Sequence, residues 1–172
     1  MYAYGMGVPK DDHKAVRWYR LAAEQGLDLA QVSLGVMYSN GEGVPKDNPE
    51  AARWYRMAAS QGLDVAQYNL GNMYYQGQGV PKDDHEAVRW HRLAAEQGNA
   101  RAQISMGGSY FAGRGVPKDY AQAYMWFNLA AAQGTSADQA EAAERRDALA
   151  GFKTPAQIAE AQALSRNWKS KK

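Results

Sequence analysis

The residues best able to do chemistry are four glycine-rich strings, three histidines and a stripe of aromatics. Gly-x-Gly-Val-Pro-Lys-Asp occurs at residues 5–11, 41–47, 77–83 and 113–119. A glycine-rich turn ahead of a helix N-terminus can cradle a phosphate. Here an Asp ends every string where it would cap the following helix and occupy the N–H donors a phosphate needs, and no G-x-x-x-x-G-K-[ST] string is present. Four matching copies point to a structural turn. His13, His85 and His91 offer general bases or metal ligands in principle. His13 and His85 share one repeat slot, filled by Pro49 and Ala121 in the other copies, as at a tolerated surface position. A metal needs converging ligands and none cluster, no serine sits in a nucleophile elbow, and no carboxylate pair stands out. No catalytic residue, metal or cofactor is therefore expected, and the chain is read as a non-enzyme. With no cysteine, disulfides, thiol nucleophiles and cysteine-ligated metals are excluded. Trp18, Trp54, Trp90 and Trp126, with the aromatics beside them, could stack on a sugar, but their spacing favours burial in a helical core.

These side chains must be positioned by a repeated element. The strings recur every 36 residues, as do the four tryptophans, the pairs Ala22/Ala23, Ala58/Ala59, Ala94/Ala95 and Ala130/Ala131, and Gly26, Gly62, Gly98 and Gly134. Ala30-Gln31, Ala66-Gln67 and Ala102-Gln103 keep the step, followed by Leu34-Gly35, Leu70-Gly71 and Met106-Gly107, then Tyr38, Tyr74 and Tyr110. Each unit reads as two helices. Helix A runs from about Leu29 to Ser39, with Ala30, Leu34 and Tyr38 on one face. Helix B opens after an Asp47 N-cap, with Glu50 completing a capping box, and Asp83 with Glu86 repeats the device. It carries Ala51, Trp54, Tyr55, Ala58 and Ala59 as an apolar stripe, and Gly62 ends it in a left-handed conformation. Gly41, Gly43 and Pro45 script the turn between the helices. Small residues at Ala58, Ala59 and Gly71 mark close helix packing.

This pattern resembles the Sel-one-like repeats, relatives of the tetratricopeptide repeat, over about residues 1–134. A-x-x-x-L-G-x-x-Y, G-x-G-V-x-x-D and A-x-x-W-Y-x-x-A-A-x-Q-G are met almost letter by letter from Ala66 to Gly98. The departures are His91 and Phe127 for the Tyr after Trp, Met106 for Leu, and Asp138 for Ala, so the regular array is expected to stop near Gly134. The expected fold is all-α: a right-handed α/α superhelix of 36-residue helix-turn-helix repeats with C-terminal capping helices. Its parts are a partial first repeat at 1–26, repeats at 27–62, 63–98 and 99–134, and capping helices with a basic tail at 135–172. One capping helix spans about Ala137 to Leu149. Another begins at a Thr154-Pro155-x-Gln157 capping box and reaches about Trp168, with Ile158, Ala161, Leu164 and Trp168 as its covering face. Met1-Tyr2 falls in register with Met37-Tyr38, so a natural protein extending upstream is expected, with Met1 an internal methionine or a boundary.

The charge balance says who the partners are not. Arg166, Lys169, Lys171 and Lys172 crowd the C-terminus, and removing these four charges from the total of +2 leaves −2 for the rest. Such a body is a poor binder of nucleic acid. A hydrophobic fraction of 45% with 22% charged residues is that of a folded chain, and no apolar run approaches the length of a membrane helix. As written it reads as cytoplasmic, and an upstream export signal would make it periplasmic or secreted.

Positions kept in every copy serve the scaffold, and positions that vary are free for recognition. By analogy with tetratricopeptide arrays, the concave helix-A face includes Val32, Val36, Ser39 and Asn40, then Tyr68, Asn72, Tyr75 and Gln76, then Arg101, Ile104, Gly108 and Phe111. Its mix of aromatics, amides and a guanidinium suits a peptide or protein. The resemblance implies a protein-binding scaffold or adaptor of the bacterial kind. The alternatives are a regulatory or envelope-associated segment of a larger exported bacterial protein, and a carbohydrate-active or peptidoglycan-linked enzyme accessory. Weak self-association through the open first repeat is a further expectation.

Overall fold

A computed structural model of the chain describes residues 10–152 and 154–168. The described residues form nine α-helices and no strand: α1 Asp12–Glu24, α2 Asp28–Asn40, α3 Asn48–Ser60, α4 Asp64–Gln76, α5 Asp84–Glu96, α6 Ala100–Ala112, α7 Tyr120–Gln133, α8 Ser136–Ala148 and α9 Pro155–Asn167, with a short 3-10 turn Leu149–Phe152 before α9. Two compact units are present, Met1–Lys82 with α1 to α4 and Asp83–Lys172 with α5 to α9. The register at Met1-Tyr2, most of the first glycine string and the lysines of the basic tail lie outside the described residues.

The type-A helices α2, α4, α6 and α8 start at residues 28, 64, 100 and 136, a constant step of 36. The first of the helices after Gly134, α8, thus keeps the step of the type-A helices. Each type-B helix begins on an Asp whose carboxylate accepts from backbone N–H groups of the first turn: Asp11 from Lys14, Asp47 from Glu50, Asp83 from His85 and Glu86, and Asp119 from Ala121 and Gln122. The capping box expected at Glu50 is not formed. Asp47 N–H already donates to the Tyr38 carbonyl at 2.9 Å, so the Glu50 carboxylate turns to Arg53 at 2.7 Å. Glu86 likewise accepts from Arg89 and from Trp90 Nε1, both at 3.1 Å. Reciprocal boxes do form at Thr135/Asp138 and Thr154/Gln157, as expected for the latter.

In the first unit Trp54 is 3% exposed among Ala15, Val16, Ala23, Ala30, Leu34 and Met37, the facing residues of α1 and α2. Trp90 and Trp126 are also buried, but Trp18 is 60% exposed, which corrects the expectation that all four tryptophans are core. What covers Trp54 is the helix pair preceding it, and α1 has no such pair among the described residues. Close packing explains the glycine of Leu-Gly: a Cβ on Gly35 would stand 2.7 Å from the Tyr55 ring, and one on Gly107 2.6 Å from Phe127. Burial pushes the Tyr55 hydroxyl up to about 12. The folded state then holds a proton that the unfolded chain releases near pH 10, so stability is full below that value and falls as pH rises from about 10 to about 12. Tyr55→Phe removes this loss, on the order of 2 kcal/mol, and raises the alkaline unfolding midpoint in a pH titration followed by circular dichroism.

Two polar pairings tie α1, α3 and α5 each to the A helix after it. Buried Gln31, Gln67 and Gln103 donate through Nε2 to the carbonyls of Ala23, Ala59 and Ala95, at 3.1, 3.3 and 3.2 Å, satisfying acceptors at the end of α1, α3 and α5. Arg20, Arg56 and Arg92 donate to the hydroxyls of Tyr38, Tyr74 and Tyr110, the last two at 2.9 Å. At the α7–α8 seam the same two positions hold Asn128 and Arg146, and the donor changes sides: Arg146 Nη1 reaches Asn128 Oδ1 at 3.3 Å.

The second unit closes with Ile104, Tyr124, Phe127, Ala142, Leu149 and Ala161 in one cluster. After the 3-10 turn, α9 packs against α7. Its inward residues are the expected ones: Ala161 is buried and Ile158, Leu164 and Trp168 half-buried, with the Trp168 ring 5.9 Å from that of Trp126.

Candidate partner-binding surface

On α2 the core takes Ala30, Gln31, Leu34, Gly35 and Met37, and on α4 it takes Ala66, Gln67, Leu70, Gly71 and Met73. The expected recognition positions are among those left over. In the first unit Val32, Val36 and Ser39 are half-buried and Asn40 exposed on α2, where Asn40 Nδ2 donates to Glu42 at 2.8 Å. Tyr68 and Asn72 are half-buried on α4, with Gln76 exposed and Tyr75 38% exposed. Within each helix these residues fall at i, i+4, i+7 and i+8, one face of a 3.6-residue period.

In the second unit Arg101 and Phe111 are exposed on α6 and Gly108 is half-buried. Phe111 lies 5.8 Å from the Tyr120 ring, and Lys118 Nζ stands 5.5 Å over Tyr120. Arg101 pairs with Asp138 at 3.4 Å. The Asp138 carboxyl is held below the ordinary carboxylate range, first by the Thr135 hydroxyl and further by Arg101. Ile104 belongs to the core instead: it is 8% exposed, packed in the cluster with Tyr124 and Phe127, and has little surface to offer a partner. Its slot is covered because α6 also packs against α8.

The histidines divide. His13 and His85 are exposed, His13 Nδ1 lying 2.9 Å from the Gly43 carbonyl, while His91 is 3% exposed in the slot that Tyr55 and Phe127 fill in their repeats. Among the described residues no group of three or more His, Asp or Glu side chains converges, and no helix is long and apolar enough to cross a membrane. Exposed Leu27, Leu29 and Val65 at the start of the A helices escaped the sequence reading, because an apolar residue there carries no periodic mark of burial or exposure.

The Sel1 repeat model matches residues 1–27, 28–63, 64–99 and 100–135, most of the chain. No curated protein matches it. Among solved structures it is similar to c5321, a protective antigen present in uropathogenic Escherichia coli strains and displaying an SLR fold, with 50% identity and a TM-score of 0.77, over 80% of this chain and 29% of that one. It is similar to a Sel1 repeat protein from Oxalobacter formigenes, with 40% identity and a TM-score of 0.78, over 84% of this chain and 59% of the other. Helicobacter pylori cysteine rich protein B is 25% identical with a TM-score of 0.59, over 76% of this chain and 94% of that one. The chain thus spans less than two thirds of the first two relatives. With the helix pairs above, these neighbours place the fold in the all-α, tetratricopeptide-like solenoid class. Sel1 repeat proteins generally mediate protein–protein interactions and are generally non-catalytic scaffolds. The chain belongs to the Sel1 repeat family.

Proposed function

We propose that this chain is a non-catalytic scaffold that holds a peptide or protein partner on the irregular, concave-side positions of its A helices. The observation that carries this is the division of labour along α4: Ala66, Gln67 and Gly71, repeated in α2 and α6, are buried, whereas Tyr68, Asn72, Tyr75 and Gln76, which differ from their counterparts, keep surface. Amphipathic aromatics beside amides are the side chains that anchor protein interfaces. Tyr68→Ala with Tyr75→Ala is expected to keep the helical circular dichroism spectrum and lose the specific partners of the wild-type chain in a pull-down. A folded double variant that retains every specific partner overturns this placement.

A second reading, a regulatory or envelope-associated segment of a larger exported bacterial protein, is supported by the similarity to part of a protective antigen. Weak self-association through the open face of α1 fits the exposure of Trp18 and Leu21.

A further inference from the structure

We propose that the outer face of α7 is a helix-docking site, filled here by α9 of the same chain, which α9 of a second copy occupies in exchange. The four B helices supply the comparison. Arg17, Arg53 and Arg89 are exposed, and their counterpart on α7 is Met125, 5% exposed. Leu21, Met57 and Leu93 are 45, 36 and 39% exposed, and their counterpart Leu129 is 6% exposed. A row that faces solvent on the other B helices is therefore apolar and covered on α7, the helix against which α9 packs. The fit is to one helix face, with Ile158, Ala161, Leu164 and Trp168 spaced by three, three and four residues and Trp168 edge-on to Trp126.

The hold on α9 is slight. Ala161 is its one fully buried residue among those described, whereas α3 buries six. Toward the helix ends a groove of about 320 Å³ separates Leu129, Ala132 and Gln133 on α7 from Ser165, Arg166 and Trp168 on α9. The anchor before α9 is Leu149, 2% exposed in the cluster that closes the unit, and the exchange leaves it in place. Exchange of a terminal helix between identical chains reuses every contact of the closed form, which is why a second copy is the occupant the site fits best. This exchange is separate from partner binding by the A helices and from association through α1.

The cysteine-free sequence permits a direct test. Gln133→Cys and Arg166→Cys, both exposed and on opposite walls of the groove, give two preparations of full-length chain with one thiol each. The two are mixed at submillimolar concentration and treated with a short bis-maleimide. Exchange predicts a covalent dimer in the mixture well above either preparation alone, with a fractional yield that falls roughly tenfold on tenfold dilution, as mass action requires of a weak dimer. Adding Ala161→Asp to the Arg166→Cys chain returns the yield to the controls, and Trp18→Arg in both chains leaves it unchanged. A mixture that gives no more dimer than the controls overturns the proposal, as does loss of the dimer with Trp18→Arg.

Discussion

Trp54→Ala lowers the unfolding free energy of its unit by about 3–5 kcal/mol, the range for truncating a buried aromatic, while the same change at the same repeat position, Trp18→Ala, costs no more than about 0.5 kcal/mol, as at ordinary surface sites. Trp54 is 3% exposed and Trp18 60%. A buried tryptophan withdraws on the order of 150–250 Å² from water, and the alanines around Trp54 have no rotamers with which to collapse into the space it leaves. Urea denaturation of the two variants beside wild type, followed by circular dichroism, measures the difference. Equal losses would show that neighbouring helix pairs do not provide the burial.

Gly79→Ala is expected to cost about 2–5 kcal/mol, combining strain at positive φ with overpacking. Gly79 has φ of +70°, and an added Cβ would stand 2.2 Å from the carbonyl oxygen of Asn48, a backbone atom that no rotamer change can move. The control is Gly62→Ala, where φ is +96° but nothing lies within 4 Å of the added atom, so only the conformational cost of about 1 kcal/mol remains. Thermal unfolding of the two variants separates the terms: similar melting temperatures would mean that the turn of one repeat does not rest on the helix start of the one before it. Gly43 and Gly115 make the same approach, to Asp12 and Asp84.

The step of 36 residues located both helices of every repeat, because caps, turn glycines and buried alanines all recur at that step. Trp18 defeated the same logic: its burial is a property of the helix pair before it, which a residue type cannot record. Gln31, Gln67 and Gln103 were visible as recurrent, but a buried amide serving a carbonyl eight residues upstream has no sequence signature beyond recurrence. At the candidate surface, variation between copies picked out Tyr75 and Phe111, both 38% exposed, yet missed that Ile104 is covered. Ile104 continues the series Val32 and Tyr68, and only the packing of α8 beside α6 distinguishes it. The box expected at Glu50 failed because the Asp47 N–H had a carbonyl partner nine residues upstream, a contact made by the turn as a whole.

The exchanged donor at the α7–α8 seam limits which helix can follow which. A duplicated middle unit can follow its twin, since each brings an arginine on one helix and a phenol to meet it on the next. Were α8 spliced behind α5, Arg146 would confront Arg92, two cations competing for a place with no acceptor between them. Unequal recombination in the gene that keeps each arginine with its acceptor can therefore add or remove whole units of the kind that holds Arg56 or Arg92, while Asn128 and Arg146 stay together.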